Sequence, residues 1–584
     1  MGNSSQPTDS LPSRIATLVH SHFDGLPKRS KPVLRDDGTA EWIPMTGIVL
    51  VRGENTPEET LTCVAVTTGA KCLPASQIPH CNGLVLHDCH AEILAMRAFN
   101  YWLISECRSV LEAEKQQQQQ QPPNPGAMEE ATLPSPFIRR RQQFSKDSTL
   151  PPFEIHPDIH IYMYCTCAPC GDASMELVMA AQEDATPWEL PTTSPSIPSS
   201  STGPLSGRGH FSRLGVVRRK PARADAESTK SKSCSDKIAL RQVSGLLSYA
   251  SSLLVAVTEN VYIRGLVMPE EEITETGCGR CFGGGVDGRM KGLNGRWWDV
   301  EGDGVFGGGD RGNGEGEGRY SYAFRPFEVL SIPNEQLKAL WPFRKPRASD
   351  PDANLDRASE DPTSAPATKP KRTKSKPGTI SAIWVRAPTS PPILSPPEST
   401  DNQNPQPPPT NPDNGTKTIP VLRGSKTGLF ESIIRGVRQG HKAVSPGPGT
   451  RGASALCRAR MWEHWRGAVA VTPRNTDTTP AGDQDQGSSE KQDDGARLHL
   501  RNTDVDSALR ASTYKEFKEL CPENLSGAIL ARKRAMDAAK DVLGGWVPND
   551  GDEGWGWRWD EGTLVDERGG LVKMDPKGSK KRKR

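Results

Sequence analysis

His90-Ala91-Glu92 and, much later, Pro169-Cys170-Gly171 are the residues of this chain best equipped for chemistry. An imidazole and a thiolate suit zinc. Three such protein ligands leave a fourth position for water, whose pKa then falls to about 7. A carboxylate beside the metal, and not on it, can carry a proton from that water to a ring nitrogen and then to a leaving amine. His90 fits the role of ligand, Cys170 that of a second ligand, and Glu92 that of the shuttle. One neutral imidazole with two thiolates would balance the charge of the metal, so one more cysteine is needed.

A histidine two residues before a glutamate, opening an apolar-periodic helix, with a Pro-Cys downstream, is the signature of zinc-dependent nucleobase deaminases. The familiar cytidine and bacterial-type pattern is PCxxC, with both thiolates on one turn. This chain departs from it, because Ala173 stands three residues after Cys170. The second thiolate must come from elsewhere, and Cys234, in Ser233-Cys-Ser-Asp-Lys237, is the candidate. All three ligands fall at expected helix starts, where the helix dipole favours the thiolate form.

Plainer readings compete at several positions. His87 forms an HxxH pair with His90, but reads as a structural histidine. Cys167–Cys170 and Cys278–Cys281 are both CxxC pairs and together could imitate a four-cysteine zinc site, yet Cys278 lies in a glycine-rich stretch. Gly424-Ser-Lys-Thr427 lacks the leading glycine of a phosphate loop and is discarded.

The elements that must hold these residues follow from periodicity. Residues 13–23 have helical spacing, while 42–52 and 62–67 read as strands. The site helix runs over 91–107, with Ile93, Leu94, Met96, Phe99, Trp102 and Leu103 inward. A strand over 155–164 delivers Cys165 to Cys170, and helices follow at 171–181 and 238–247. Residues 319–330 look ordered and 379–385 could be a strand. Residues 454–466 and 514–546 read as helical.

The chain has 584 residues, which alone would suggest three or four domains. With 55 glycines, 51 prolines and 34% hydrophobic residues, long stretches cannot bury a core. The expectation is one domain over 12–547 with low-complexity insertions near 115–150, 190–210, 275–318, 346–378, 388–414 and 474–496, then a tail over 548–584 ending in basic residues. The odd count of 13 cysteines and the lack of a signal peptide or long apolar run read as a reduced protein of the nucleus or cytoplasm, without a membrane role. The net charge of +2 says nothing about nucleic acid. No obligate protein partner is evident.

Three motifs in order, Cys89-His-Ala-Glu92, Pro169-Cys-Gly-Asp-Ala173 and Ser233-Cys-Ser-Asp-Lys237, resemble those of the adenosine deaminases that act on RNA. Within that family the chain is most similar to the tRNA-specific branch that makes inosine at adenosine 37 of alanine tRNA. The short stretch before Ser13 leaves no room for double-stranded-RNA-binding domains, and 219–225 resembles a KPGR-like segment of that branch. The resemblance implies a three-layer, cytidine-deaminase-like α/β fold, a mixed sheet with helices on both faces. It implies zinc on His90, Cys170 and Cys234, and Glu92 as the catalytic proton carrier. It also implies a buried inositol hexakisphosphate, touched by Lys237, Arg241, Arg458, Lys518 and Trp546; Arg532 and Lys533 lie near, but not on, a further expected lysine. Lys71, Arg219, Lys220 and Arg223 are read as contacts to a tRNA substrate. Two other readings remain: an editor of double-stranded RNA with the same site, and a non-catalytic RNA-binding protein with a structural zinc.

Overall fold

The computed structural model describes residues 10–33, 41–120, 135–141, 150–181, 205–206, 213–220, 227–305, 320–345, 376–389, 428–443, 449–471, 503–519, 527–559 and 561–572. Arg223, Cys521, the Gly424–Thr427 motif and the basic tail lie outside the described residues.

Eight strands form the central sheet: β1 (Met45–Arg52), β2 (Thr60–Thr68), β3 (Ile159–Cys165), β4 (Ile263–Pro269), β5 (Glu328–Ile332), β6 (Ser381–Arg386), β7 (Gly428–Ile434) and β8 (Val437–Arg438). Their order is β5-β4-β3-β1-β2-β6-β7-β8. The β3–β4–β5 edge is parallel and the remaining pairings are antiparallel. Alternation along β1 sends Ile48 and Leu50 to one face and Val49 and Val51 to the other. A register shift opposite Ile48 and Val49 places Val64 and Ala65 of β2 together on the first face.

Each face is covered by helix, which gives the expected three layers. Helix α1 (Leu11–Asp24) lays Ile15, Val19 and Phe23 on the Val49 face, with Trp341 and Phe343 beside them. Helix α2 (Ala91–Gln120) packs Leu94, Phe99 and Trp102 on the Ile48 face. It outruns the expected end at 107 because Val110, Leu111 and Ala113 remain buried, and an Arg108–Glu112 pair at 2.7 Å supports the extra turns. On the same side lie α3 (Cys234–Ser244), α4 (Glu275–Phe282), α5 (Arg458–Val469), α6 (Tyr514–Lys518) and α7 (Gly527–Leu543).

Three expected boundaries are corrected. Residues 275–305, expected within a coreless insertion, fold: Cys281, Phe282, Met290, Leu293 and Trp298 are buried in the main core. Glycine breaks the periodicity there, but the few large residues still pack. Residues 548–572, expected as tail, also join that core through Trp555, Trp557 and Leu564. Gly83, at φ +69°, gives Trp555 its place, since a Cβ there would strike the indole. Residues 135–141, inside the 115–150 insertion, contribute a strand, Ile138–Arg140, paired with Phe153–Ile155.

Candidate active site

His90 ends the short strand Asp88–His90, which pairs with Ala70–Cys72, and α2 begins at the next residue. Cys234 is the first residue of α3, whose N-cap Ser233 accepts from the amide of Asp236. Cys170 ends the loop after β3, just before a 3₁₀ turn over Asp172–Ser174. The two cysteine loops are bonded to each other: Ser235 N donates to Cys170 O at 3.0 Å, and Ser235 Oγ donates to Pro169 O at 3.0 Å. Gly171 makes this approach possible. Its φ is +114°, and any Cβ would overlap Ser233.

The three expected ligands converge. His90 Nδ1 is 3.7 Å from Cys170 Sγ and 3.6 Å from Cys234 Sγ, so the three atoms form a group able to hold a metal ion. Glu92 sits in the first turn of α2, and its Oε2 is buried with no hydrogen-bond partner. Burial, then the neighbouring Cys170, raises its pKa above the usual carboxylate range. A carboxyl that takes up a proton readily and has an unused oxygen suits a proton carrier.

Lys220 corrects the expectation of an RNA contact. It is buried, with Nζ 2.9 Å from Asp88 Oδ2 and 3.3 Å from Cys234 Sγ. A basic residue in a basic loop looks the same in sequence whether it points out or in; here it turns inward to a cysteine sulfur and a carboxylate. Lys237 Nζ reaches the same carboxylate at 2.6 Å. Burial alone would raise the pKa of Asp88, but Lys220 and then Lys237 hold it well below the ordinary range. Asp88 Oδ1 also accepts from the amide of His90 at 3.0 Å, which ties this charge network to the ligand. Asp88 was missed in the sequence, although it stands two residues before His90.

The other expected residues fall in two places. Arg241 and the buried Arg532 both donate to Leu247 O, at 3.1 and 3.2 Å. Lys518 Nζ lies 4.8 Å from the Tyr249 ring. Arg97, not anticipated, donates to Leu456 O at 2.7 Å. Among the described residues no carboxylate lies within ion-pair distance of these four cations. Lys518 is pushed down to about 7 by burial and then by Arg532, Arg458, Arg241 and Arg97. Arg241 falls to about 9 from burial, then Arg532 and Arg97. The Lys518 side chain keeps accessible surface.

Arg458 borders the group but has a partner, donating to Asp552 O at 2.7 Å. Trp546 is half-buried with Lys232 Nζ 5.4 Å from its ring. Lys237 stands apart, already paired with Asp88. Lys71 is exposed, opposite Cys89 in the strand pairing beside His90, and Arg219 is half-buried.

Two other donor groups occur among the described residues. Cys72–Asp88–His90 shares Asp88, which Lys220 and Lys237 already hold. In Cys81–His87–Asp552 the Arg458 guanidinium, 3.6 Å from Asp552 Oδ2, stands where a metal's charge would be needed. His87 Nε2 lies 2.9 Å from Asp552 Oδ2, consistent with a structural role. Cys281 Sγ accepts from Arg289 at 3.2 Å and belongs to no donor group.

Comparison with known proteins agrees with this arrangement. Residues 65–291 match the model of the adenosine-deaminase (editase) domain. The chain is 34% identical over 270 residues to tRNA-specific adenosine deaminase 1 of Schizosaccharomyces pombe, covering 46% of this chain and 60% of that protein. It is 29% identical over 266 residues to the Saccharomyces cerevisiae protein of the same name, covering 45% and 60%. Mouse double-stranded RNA-specific editase B2 is 27% identical, over 38% of this chain and 26% of its own length. The match thus spans about 60% of the length of the first two relatives. His90, Glu92, Cys170 and Cys234 all lie inside the span 65–291 that is similar to the adenosine-deaminase (editase) domain.

Proposed function

We propose that this protein is a zinc-dependent deaminase that converts adenosine to inosine in tRNA, at adenosine 37 of alanine tRNA. The observation that carries the reading is the meeting of His90 with two cysteines 64 residues apart, next to a buried carboxylate oxygen that has no partner. When bound, Zn²⁺ supplies the means of activating water near neutral pH. The donor set, one nitrogen and two sulfurs, fits zinc with a position left for water.

The chain's own residues supply the rest. Glu92, with its raised pKa, takes one proton from water and passes it to the ring nitrogen, where it stays, then takes the second from the attacking oxygen and passes it to the amine, which leaves as ammonia. Burial raises the pKa of the Cys234 thiol, and Lys220, 3.3 Å from its Sγ, opposes that rise and favours the thiolate a metal would bind. A base in the anticodon loop is cheaper to extrude than a paired one, which suits a loop substrate. Lys71 and Arg219, at the rim, are the proposed backbone contacts; Arg223 would extend them.

We further propose that the unpaired cations Arg97, Arg241, Lys518 and Arg532, with Arg458, hold inositol hexakisphosphate. Buried like charges that depress one another lack an anion, and a polyphosphate supplies it. Lys237, paired with Asp88, and Trp546, beside Lys232, are not part of that group.

The test uses purified protein, alanine tRNA and a duplex RNA. Inosine should form at one position of the tRNA and not in the duplex, one zinc should be bound per chain, and Glu92→Ala should lower the rate about 10²- to 10⁴-fold while zinc stays bound. Inosine formation by Glu92→Ala at the wild-type rate would sink the assignment. Inosine in the duplex alone would move the substrate to double-stranded RNA.

A further inference from the structure

We propose that Arg280 and Arg289 are positioning residues that hold the two thiolate loops in register for the metal. This rests on the metal reading above and assigns a task to a segment that the deamination chemistry does not itself require.

Each cysteine ligand is followed two residues later by an aspartate, Asp172 after Cys170 and Asp236 after Cys234. Both carboxylates are fully buried. A buried carboxylate so close to a thiolate is costly unless it is paired. Arg280, on α4, supplies the first partner. Its Nε lies 3.2 Å from Asp172 Oδ2, one terminal nitrogen donates to Asp172 O at 2.9 Å, and the other reaches Glu176 at 2.5 Å. Arg289, just past α4, supplies the second, donating to Asp236 Oδ1 at 2.6 Å. Its Nε donates to Cys281 O at 3.0 Å, which fixes the fork to α4 itself. Asp236 Oδ2 then accepts from the Arg218 amide at 3.0 Å, and Asp172 Oδ1 from the Gly215 amide at 2.8 Å. The Arg218 side chain also lies within electrostatic reach of both aspartates.

One ten-residue stretch therefore clamps both ligand loops, which also meet through the short bonds around Ser235 and the Cys234 amide on Cys170 Sγ. A planar fork that grips two acceptors fixes orientation as well as distance, whereas a lysine would fix charge alone.

The experiment follows zinc passing from the folded holoprotein to a chromogenic chelator, well below the melting temperature. Arg289→Met and Arg280→Met should each release zinc about 10- to 100-fold faster than wild type. Arg289→Lys and Arg280→Lys, which keep the charge and fold more readily, should fall in between. Adding Asp236→Asn to Arg289→Met should restore much of the retention, because no unpaired buried charge remains. Arg140→Met, which breaks the Arg140–Glu114 pair far along α2, is the control for lost stability alone. Wild-type release rates in the Arg280 and Arg289 variants, or equally fast release from Arg140→Met at matched melting temperature, would overturn the clamp. A wild-type protein that binds no zinc would instead overturn the metal reading, and this inference with it.

Discussion

Lys220 and Arg532 are both buried cations, and they are opposite cases. Lys220 sits between Asp88 and Cys234, its charge met on both sides. Arg532 shares its surroundings with Arg241, Lys518 and Arg97, and donates to a backbone carbonyl, Leu247 O. A charge buried with its partner organises the protein's own atoms. A charge buried without one calls for an anion from outside the chain. On the function proposed above, the difference separates two tasks within a single core: holding a metal ligand, and holding a polyanion.

The strongest way to break this contrast is to remove each cation. Lys220→Met should destabilise the protein by about 3–5 kcal/mol in urea unfolding, because Asp88 would lose a buried partner. The same variant should bind zinc about 10- to 100-fold more weakly. Arg532→Met should leave the anion-free protein as stable or more stable. Equal losses from the two changes would erase the distinction.

A smaller effect sharpens it through pH. The folded-state pKa of Lys518 is depressed to about 7, against about 10.4 in an unfolded chain. Between those values the unfolded chain binds more protons, so without the anion stability should rise with pH across that window. Below it both states carry the charge and the penalty is complete. Inositol hexakisphosphate favours the charged form. It should therefore raise the melting temperature by several degrees at pH 7 and by less at pH 9.5, and Arg532→Met should reduce the gain at pH 7. A gain that does not depend on pH would remove Lys518 from the cage.

The smallest effect concerns the rim. Lys71→Ala should weaken tRNA binding a few-fold and lower the slope of log affinity against log salt by about 1, without changing zinc content. An unchanged slope would mean that Lys71 touches no phosphate.

The donors were legible because a metal accepts few residue types, so His90, Glu92 and Cys170 announce themselves and Cys234 is found by its motif. The sheet and its two helical layers were legible wherever apolar residues recur at a fixed period, as in β1, β2 and the first half of α2. Residues that act by position were not. Arg280 and Arg289 lie among glycines that carry no period, and Lys220 reads as a surface base because sequence does not show which way a lysine turns. Trp555 was unreadable for a related reason: its place depends on Gly83, some 470 residues earlier.

That last contact has a consequence for biosynthesis. The wall beneath Gly83 is completed by Trp555 and Asp552, whose carboxylate accepts from the Gly83 amide at 2.8 Å. A chain that stops short of residue 552 would leave the Gly83 amide and the His87 ring without the carboxylate that meets both, so truncation at the far end of the message reaches the segment that leads into His90.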